Sequence, residues 1–222
     1  MLVADVILQI NVIKRIFNLN HVMKKIKIWN NNPSEKQIDE ICDAYKNGEV
    51  VILPTDTLYA ITCNALDTKA IERLCRIKDI NPDKTNLSII CSDISMASEY
   101  ARFDNAAFHL LRANTPGPFT FLFRASSSLP RAFKGRKIVG IRIPANNICR
   151  KIAETLGSPI LTSSIDYDEE DYAINPDLIA ENYEGKADLM VEGEEGTLET
   201  STIVDDTTGE PEIIRKGKGI LV

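Results

Sequence analysis

The chain has 222 residues, a length that fits one domain and can bury roughly 70% of the surface of the unfolded chain without disulfides or metals. Its 44% apolar and 26% charged residues exclude collagen-like, membrane-spanning and wholly disordered classes. The net charge of −6 is uneven, because residues 166–212 hold seventeen acidic residues and one basic, whereas residues 124–151 hold eight basic residues and no acidic one. The basic stretch predicts a surface that meets phosphate, nucleotide or RNA, with a merely solvated face as the alternative.

The cysteine and histidine content limits the possible chemistry. Five cysteines occur, at positions 42, 63, 75, 91 and 149, and none has the spacing of a zinc site. We therefore expect no protein-bound metal, and reduced, mostly buried thiols, which are typical of the cytoplasm. The only histidines are His21 and His109, so a mechanism that depends on a histidine base is disfavoured.

Apolar periodicity and capping residues predict alternating strands and helices from residue 23 onwards. Residues 1–22 are interpreted as an N-terminal extension that need not be native, or alternatively as a packed amphipathic helix, ahead of a domain over 23–222. The predicted strands are 25–29, 49–53, 86–91, 119–123, 137–144, 159–161 and 187–191, followed by a terminal hairpin of 202–205 and 212–215. The predicted helices are one between Ser34 and Asn47, then 68–78, 94–100, 105–113, 147–156 and 176–183. This alternation predicts a layered α/β fold with helices against a twisted, mixed sheet.

Polar clusters follow several predicted strands, where open α/β folds bind ligands. Thr55, Asp56, Thr57 and Tyr59 come directly after strand 49–53 and could hold a small polar substrate. A turn in which Asp56 or Thr57 caps the backbone is the simpler interpretation. Arg142 lies in an apolar strand, and since an unpaired buried charge is costly, it must meet a ligand anion or a protein carboxylate.

Hydroxyl and cationic residues form further candidate sites. Thr162 and Ser163 end a short strand and could form a phosphate nest or cap a turn. Ser201 and Arg215 fall on neighbouring strands, although a salt bridge between Arg215 and an acidic residue of the tail is the simpler explanation. Lys78 lies at a helix end, where cations often serve only as partners of the helix dipole. The sequence contains no GxxxxGK[ST], GxGxxG or GxSxG motif.

Taken in order, six segments resemble the YrdC/YciO family, and the similarity spans about residues 24–222. They are Pro54-Thr-Asp-Thr-Leu-Tyr59, Thr115-Pro-Gly-Pro-Phe-Thr120, Gly140-Ile-Arg-Ile-Pro144, Leu161-Thr-Ser-Ser164, Ser201-Thr-Ile-Val-Asp205 and Ile214-Arg-Lys-Gly217.

This resemblance implies a single YrdC-like α/β domain with a positively charged concave surface. Synthases of the family make L-threonylcarbamoyladenylate from threonine, bicarbonate and ATP, with Mg²⁺ on the phosphates, and release pyrophosphate. The product serves tRNA threonylcarbamoyladenosine modification, and members are also described as binding double-stranded RNA. By position, the resemblance assigns threonine binding to Thr55, Thr57 and Tyr59, nucleotide binding to Lys78, Thr162, Ser163, Ser201 and Arg215, and catalysis to Lys78 and Arg142. The basic stretch predicts the candidate RNA-binding residues, which are Arg124, Arg131, Lys134, Arg136 and Lys137.

Three positions depart from the synthase pattern. Ile80 replaces the arginine of a Lys-x-Arg pair, Ile165 replaces the asparagine of Ser-x-Asn, and Ala60 replaces a glycine. An arginine–phosphate contact has no aliphatic substitute, so these departures resemble the YciO branch. Three functions stay open: a synthase or weak relative of one, an RNA-binding protein without synthesis, and an enzyme that removes threonylcarbamoyl from tRNA.

Overall fold

One mixed β-sheet organises the protein. The computed structural model describes residues 22–133, 137–165, 170–194 and 196–222, and within them eleven strands join a single sheet. The strands are β1 (Lys24–Lys27), β2 (Val51–Leu53), β3 (Ala60–Asn64), β4 (Ser88–Ile90), β5 (Ala101–Arg102), β6 (Phe119–Ala125), β7 (Ile138–Arg142), β8 (Ile160–Ser164), β9 (Leu189–Glu192), β10 (Thr202–Asp205) and β11 (Glu212–Arg215). Their order is β1-β9-β2-β3-β8-β4-β7-β6-β10-β11, with β5 paired to β6.

Helices cover both faces of this sheet. They are α1 (Glu35–Lys46), α2 (Thr68–Ile77), α3 (Ile94–Tyr100), α4 (Asn105–Asn114), α5 (Asn147–Leu156), α6 (Glu170–Ile174) and α7 (Pro176–Tyr183), with a 3₁₀ turn at Arg131–Phe133. Local sequence fixes their ends: Ser34 forms a capping box with Gln37 at the start of α1, and Gly157 ends α5 in the left-handed conformation.

Two apolar clusters sandwich the strands. One lies under α1 and α5, which contact each other, and includes Ile41, Ile152 and Ile160. The other, larger cluster lies on the opposite face and includes Leu161 and Phe121. Ile160 and Leu161 belong to different clusters because successive side chains of a strand point to opposite faces. This alternation determines which polar residues at the strand ends can reach a common site.

The α/β class and the mixed sheet agree with the expectation from sequence. Helices α3, α5 and α7 have the predicted bounds, and the terminal hairpin β10–β11 pairs antiparallel around Gly209. The five cysteines are buried and unpaired, as expected, and burial raises the pKa of the Cys149 thiol to about 12. Strand β3 was not predicted. Of the predicted N-terminal extension, residues 1–22, only Val22 is among the described residues. Lys134 and Arg136, two of the predicted RNA-binding residues, also lie outside the described residues.

Candidate functional site

The segment between β2 and β3 forms a tight polar turn. Thr55 Oγ1 accepts a hydrogen bond from the Thr57 backbone N–H at 3.0 Å and donates to the Leu58 carbonyl at 2.7 Å. The backbone cap therefore comes from Thr55 rather than from Asp56 or Thr57. As a result, the Asp56 side chain is free to point away from the turn and reach another element.

Asp56 supplies the anion that Arg142 requires. Arg142, at the end of β7, is 5% exposed, and its Nη2 donates to Asp56 Oδ1 and to Thr57 Oγ1, each at 3.0 Å. The other carboxylate oxygen, Oδ2, accepts the Ala145 backbone N–H at 2.8 Å. The prediction that Arg142 meets an anion is confirmed, and the anion is a protein carboxylate. Arg142 Nε is buried and has no hydrogen-bond partner among the described residues, so one donor is left over.

The Tyr59 side chain connects the turn to residues 193–194. Its side chain is fully buried, and its hydroxyl donates to the Glu194 carbonyl and accepts the Gly193 N–H, both at 3.0 Å. Burial raises the pKa of Tyr59 to about 12, so the phenol stays protonated at neutral pH. Tyr59 is therefore a positioning group that ties residues 193–194 to the turn, and it does not act as a base.

A cavity of about 190 Å³ opens beside this turn. The residues that line it include Thr55, Asp56, Tyr59, Ala145, Asn146 and Glu194. Pockets for drug-sized ligands measure about 300–1,000 Å³, so this one fits a molecule the size of an amino acid. The cavity thus brings together Thr55 and Tyr59, two of the three predicted threonine-binding residues. The third, Thr57, does not line the cavity; its hydroxyl accepts a hydrogen bond from Arg142.

Ser201, directly before β10, and Arg215, at the end of β11, form a second polar cluster. Arg215 donates to the Ser201 carbonyl from Nε at 3.2 Å and from Nη2 at 2.8 Å, and Nη2 also donates to Ser201 Oγ at 3.1 Å. Ser201 Oγ lies 2.9 Å from Thr120 Oγ1 at the start of β6. These bonds bring together Ser201 and Arg215, two of the predicted nucleotide-binding residues. Thr120 joins them: it belongs to segment 115–120 but was not predicted as a site residue.

The remaining predicted phosphate-binding residues lie on β8 and α2. Thr162 is buried opposite Thr62 in the register, on the face that carries Ile160, and Thr162 Oγ1 has no hydrogen-bond partner among the described residues. Ser163 is half-buried on the opposite face of the same strand. Lys78 is half-buried and caps α2 through its backbone N–H. Their role in nucleotide binding stays a prediction.

Both isoleucines that depart from the synthase pattern pack into the protein. Ile165 is 1% exposed within the larger apolar cluster, and its N–H donates to the Tyr59 carbonyl at 3.0 Å. Ile80 is partly buried against the same cluster. These positions therefore contribute to the core and offer no polar side chain to a ligand.

Part of the predicted RNA-binding stretch lies at the end of β6 and the start of β7. These are the opposite ends of the two strands from Thr120 and Arg142. Arg124 and Lys137 line a cavity of about 630 Å³ together with Arg102, while Arg131 is exposed in the 3₁₀ turn. Arg124 pairs with Ile138 at the end of β6, whereas Thr120 marks its beginning. At about 3.3 Å per residue, the basic cavity lies some 15–20 Å along the strand from Ser201.

Comparisons with known proteins identify the family of the chain. The model of the Sua5/YciO/YrdC family, described as "Telomere recombination", matches residues 43–217. The chain belongs to this family. YciO of Escherichia coli (strain K12) is 34% identical over 191 residues, which cover 85% of this chain and 92% of YciO. The crystal structure of E. coli YciO superposes with a TM-score of 0.82 at 32% identity and covers 89% of this chain and 97% of that one.

A more distant family member carries an established activity name. The threonylcarbamoyl-AMP synthase of Pyrococcus abyssi is 28% identical over 174 residues, 78% of this chain and 51% of the synthase. The crystal structure of P. abyssi Sua5 complexed with L-threonine has a TM-score of 0.79 at 27% identity, covering 87% of this chain and 57% of Sua5. The family member described here thus corresponds to about half of that synthase. Among its described residues, no helix is long and apolar enough to cross a bilayer.

Proposed function

We propose that this family member activates threonine by forming L-threonylcarbamoyladenylate. The observation that carries the proposal is the cavity of about 190 Å³ beside the Asp56–Arg142 pair, lined by Thr55, Asp56 and Tyr59. A related structure is described as a complex with L-threonine, which supports an amino-acid ligand for this cavity. Arg142 does not line the cavity itself, but it holds the Asp56 and Thr57 side chains in place beside it.

The proposed reaction needs no protein nucleophile. Threonine and bicarbonate give the carbamate and water; a carbamate oxygen then forms a bond to the α-phosphorus of ATP, and the bond from that phosphorus to the β-phosphate oxygen breaks, releasing pyrophosphate. The protein contributes position and positive charge, which are the main sources of catalysis in phosphoryl-type transfers. In this scheme Arg142 positions the turn that binds threonine, and the Ser201–Arg215 cluster holds the nucleotide.

Mg²⁺ would enter this reaction on the triphosphate of ATP. It would neutralise charge on the leaving pyrophosphate. Lys78, Ser163 and Thr162 are the further residues that we assign to the phosphates, following the resemblance. We expect the protein to act in the cytoplasm, since five unpaired, buried cysteines are typical of reducing compartments.

The proposal predicts that the full-length protein releases pyrophosphate from ATP only when threonine, bicarbonate and Mg²⁺ are all present. Lys78→Ala should lower this rate by at least a hundredfold, because removing one donor that stabilises developing charge typically costs a factor of 10²–10³. A coupled pyrophosphate assay measures both rates. Lys46→Ala is the matched control, since Lys46 pairs only with Asp43 on the surface of α1. Release that is absent, or that ignores threonine, would contradict the proposal.

RNA binding is the second candidate function. The basic cavity at the end of β6 and the start of β7 favours it. Arg102, Arg124 and Lys137 converge there with the hydroxyl residues Ser126 and Thr207. Exposed cations around a cavity are the pattern expected for phosphate contacts. This cavity shares no lining residue with the cavity beside Thr55 and Tyr59, so variants can test the two functions separately.

If this surface binds RNA, the affinity should fall steeply with salt. Each phosphate contact contributes about −0.7 to −0.9 to the slope of log K against log salt, so the double variant Arg124→Ala/Lys137→Ala should flatten the slope by about 1.4–1.8. Fluorescence anisotropy with a short double-stranded RNA at several KCl concentrations measures it, with Lys36→Ala on α1 as the control. A slope that is flat in the native protein would remove this candidate.

A further inference from the structure

Residues 217–222, called the C-terminal segment below, are held by hydrogen bonds to the start of β10, next to the candidate site. The Gly217 N–H donates to Thr202 Oγ1 at 3.0 Å, and the Lys218 N–H donates to the Thr200 carbonyl at 2.9 Å. Thr202 Oγ1 in turn donates to the Gly219 carbonyl at 2.7 Å. The backbone on both sides of Lys218 is therefore attached to the start of β10.

Close packing holds the rest of this segment in place. A Cβ atom added to Gly219 would lie 2.6 Å from ring carbons of Phe119, so the backbone lies directly on that ring. Val222 exchanges two hydrogen bonds with the Asn114 side chain, at 2.9 and 3.1 Å. The C-terminal segment is thus anchored at both ends and presents the Lys218 side chain from a fixed backbone.

The amine of Lys218 ends at the turn that carries the threonine cavity. Lys218 Nζ donates to the Asp56 carbonyl at 3.0 Å, and the Asp56 carboxylate holds Arg142. No carboxylate of the described residues forms an ion pair with Lys218. An ammonium group has three N–H donors, so two remain for a ligand.

Lys218 joins the two subsites of the proposed reaction. Its backbone N–H donates a hydrogen bond to the carbonyl of Thr200, which precedes Ser201 of the second polar cluster. Its amine donates to the carbonyl of Asp56 in the turn between β2 and β3. We propose that Lys218 binds the α-phosphate of the nucleotide, the group that becomes bonded to the carbamate. This inference rests on the proposed function and deepens it.

The test compares AMP, which has only the α-phosphate, with adenosine, which has none. Binding of each is measured by calorimetry on the full chain. AMP should bind more tightly than adenosine, Lys218→Met should weaken AMP binding about tenfold to a hundredfold, and adenosine binding should not change. Lys218→Arg should retain most of the AMP affinity because it keeps the charge. Lys36→Met, on the exposed face of α1, is the control.

The outcomes separate this inference from the proposed function. Equal AMP affinity for the native protein and Lys218→Met, or no preference for AMP over adenosine, would overturn the role of Lys218. Lys218→Gln provides a second neutral variant if the methionine variant unfolds at a lower temperature. A loss of AMP affinity in Lys218→Met, together with no threonine-dependent pyrophosphate release by the native protein, would leave Lys218 as a phosphate-binding residue and refute the synthase activity.

Discussion

Asp56→Ala should destabilise the protein by about 3–5 kcal/mol, because it leaves Arg142 charged and without its carboxylate in the interior. Both side chains of this pair are nearly inaccessible, at 5% and 8% exposure, so water cannot replace the lost partner. The Ala145 N–H would lose its acceptor in the same variant. Urea denaturation, extrapolated to water, measures the free energy of unfolding.

The double variant Asp56→Ala/Arg142→Met isolates the cost of the stranded charge. It removes both charged groups and keeps an apolar side chain in place of Arg142, so it should be clearly more stable than Asp56→Ala alone. A loss of less than about 1 kcal/mol in Asp56→Ala would show that the Arg142 environment is solvated and would contradict the role given to this pair.

Ile165→Asn should also destabilise the protein strongly, by about 3–5 kcal/mol, although asparagine is the residue that the synthase pattern has at this position. Ile165 is 1% exposed in the larger apolar cluster, so the change removes buried apolar surface and buries an amide side chain. The measurement is again urea denaturation, accompanied by calorimetry with ATP and Mg²⁺.

Ile165→Val is the matched control for this change. It removes one methylene group and should cost only about 0.5–1.5 kcal/mol. If Ile165→Asn instead kept the native stability and raised the affinity for ATP, the side chain at this position would face the nucleotide, and the pocket would be organised as in the synthases.

Local sequence signals predicted most of the helices, because their ends are encoded by neighbouring residues. Asn146 accepts the Cys149 N–H and Gly157 has a φ of +66°, so both ends of α5 were visible in the sequence. Strand β3 gave a weaker signal, since Ala60–Asn64 alternates over only four residues, Ile61 to Asn64, and directly follows a polar turn. Its hydrogen bonds go to β2 and to β8, which lies about a hundred residues further along the chain.

The site was predictable in its residue types but only partly in its pairing. Sequence alone required an anion for Arg142, yet Asp56 lies 86 residues away, and no local pattern links the two. Lys218 was missed because it falls in a short tail without periodicity. The glycines at 217 and 219 were the available signal, since each lies too close to neighbouring atoms to carry a Cβ.

The anchoring of residues 217–222 has a consequence for the order in which the candidate site forms. Asp56 and Lys218 are 162 residues apart in the chain. The turn between β2 and β3 forms from neighbouring residues, whereas the contact between Lys218 and the Asp56 carbonyl must close a loop of that length, which costs conformational entropy. We therefore expect this contact to form late in folding, after the sheet has brought the two polar clusters together.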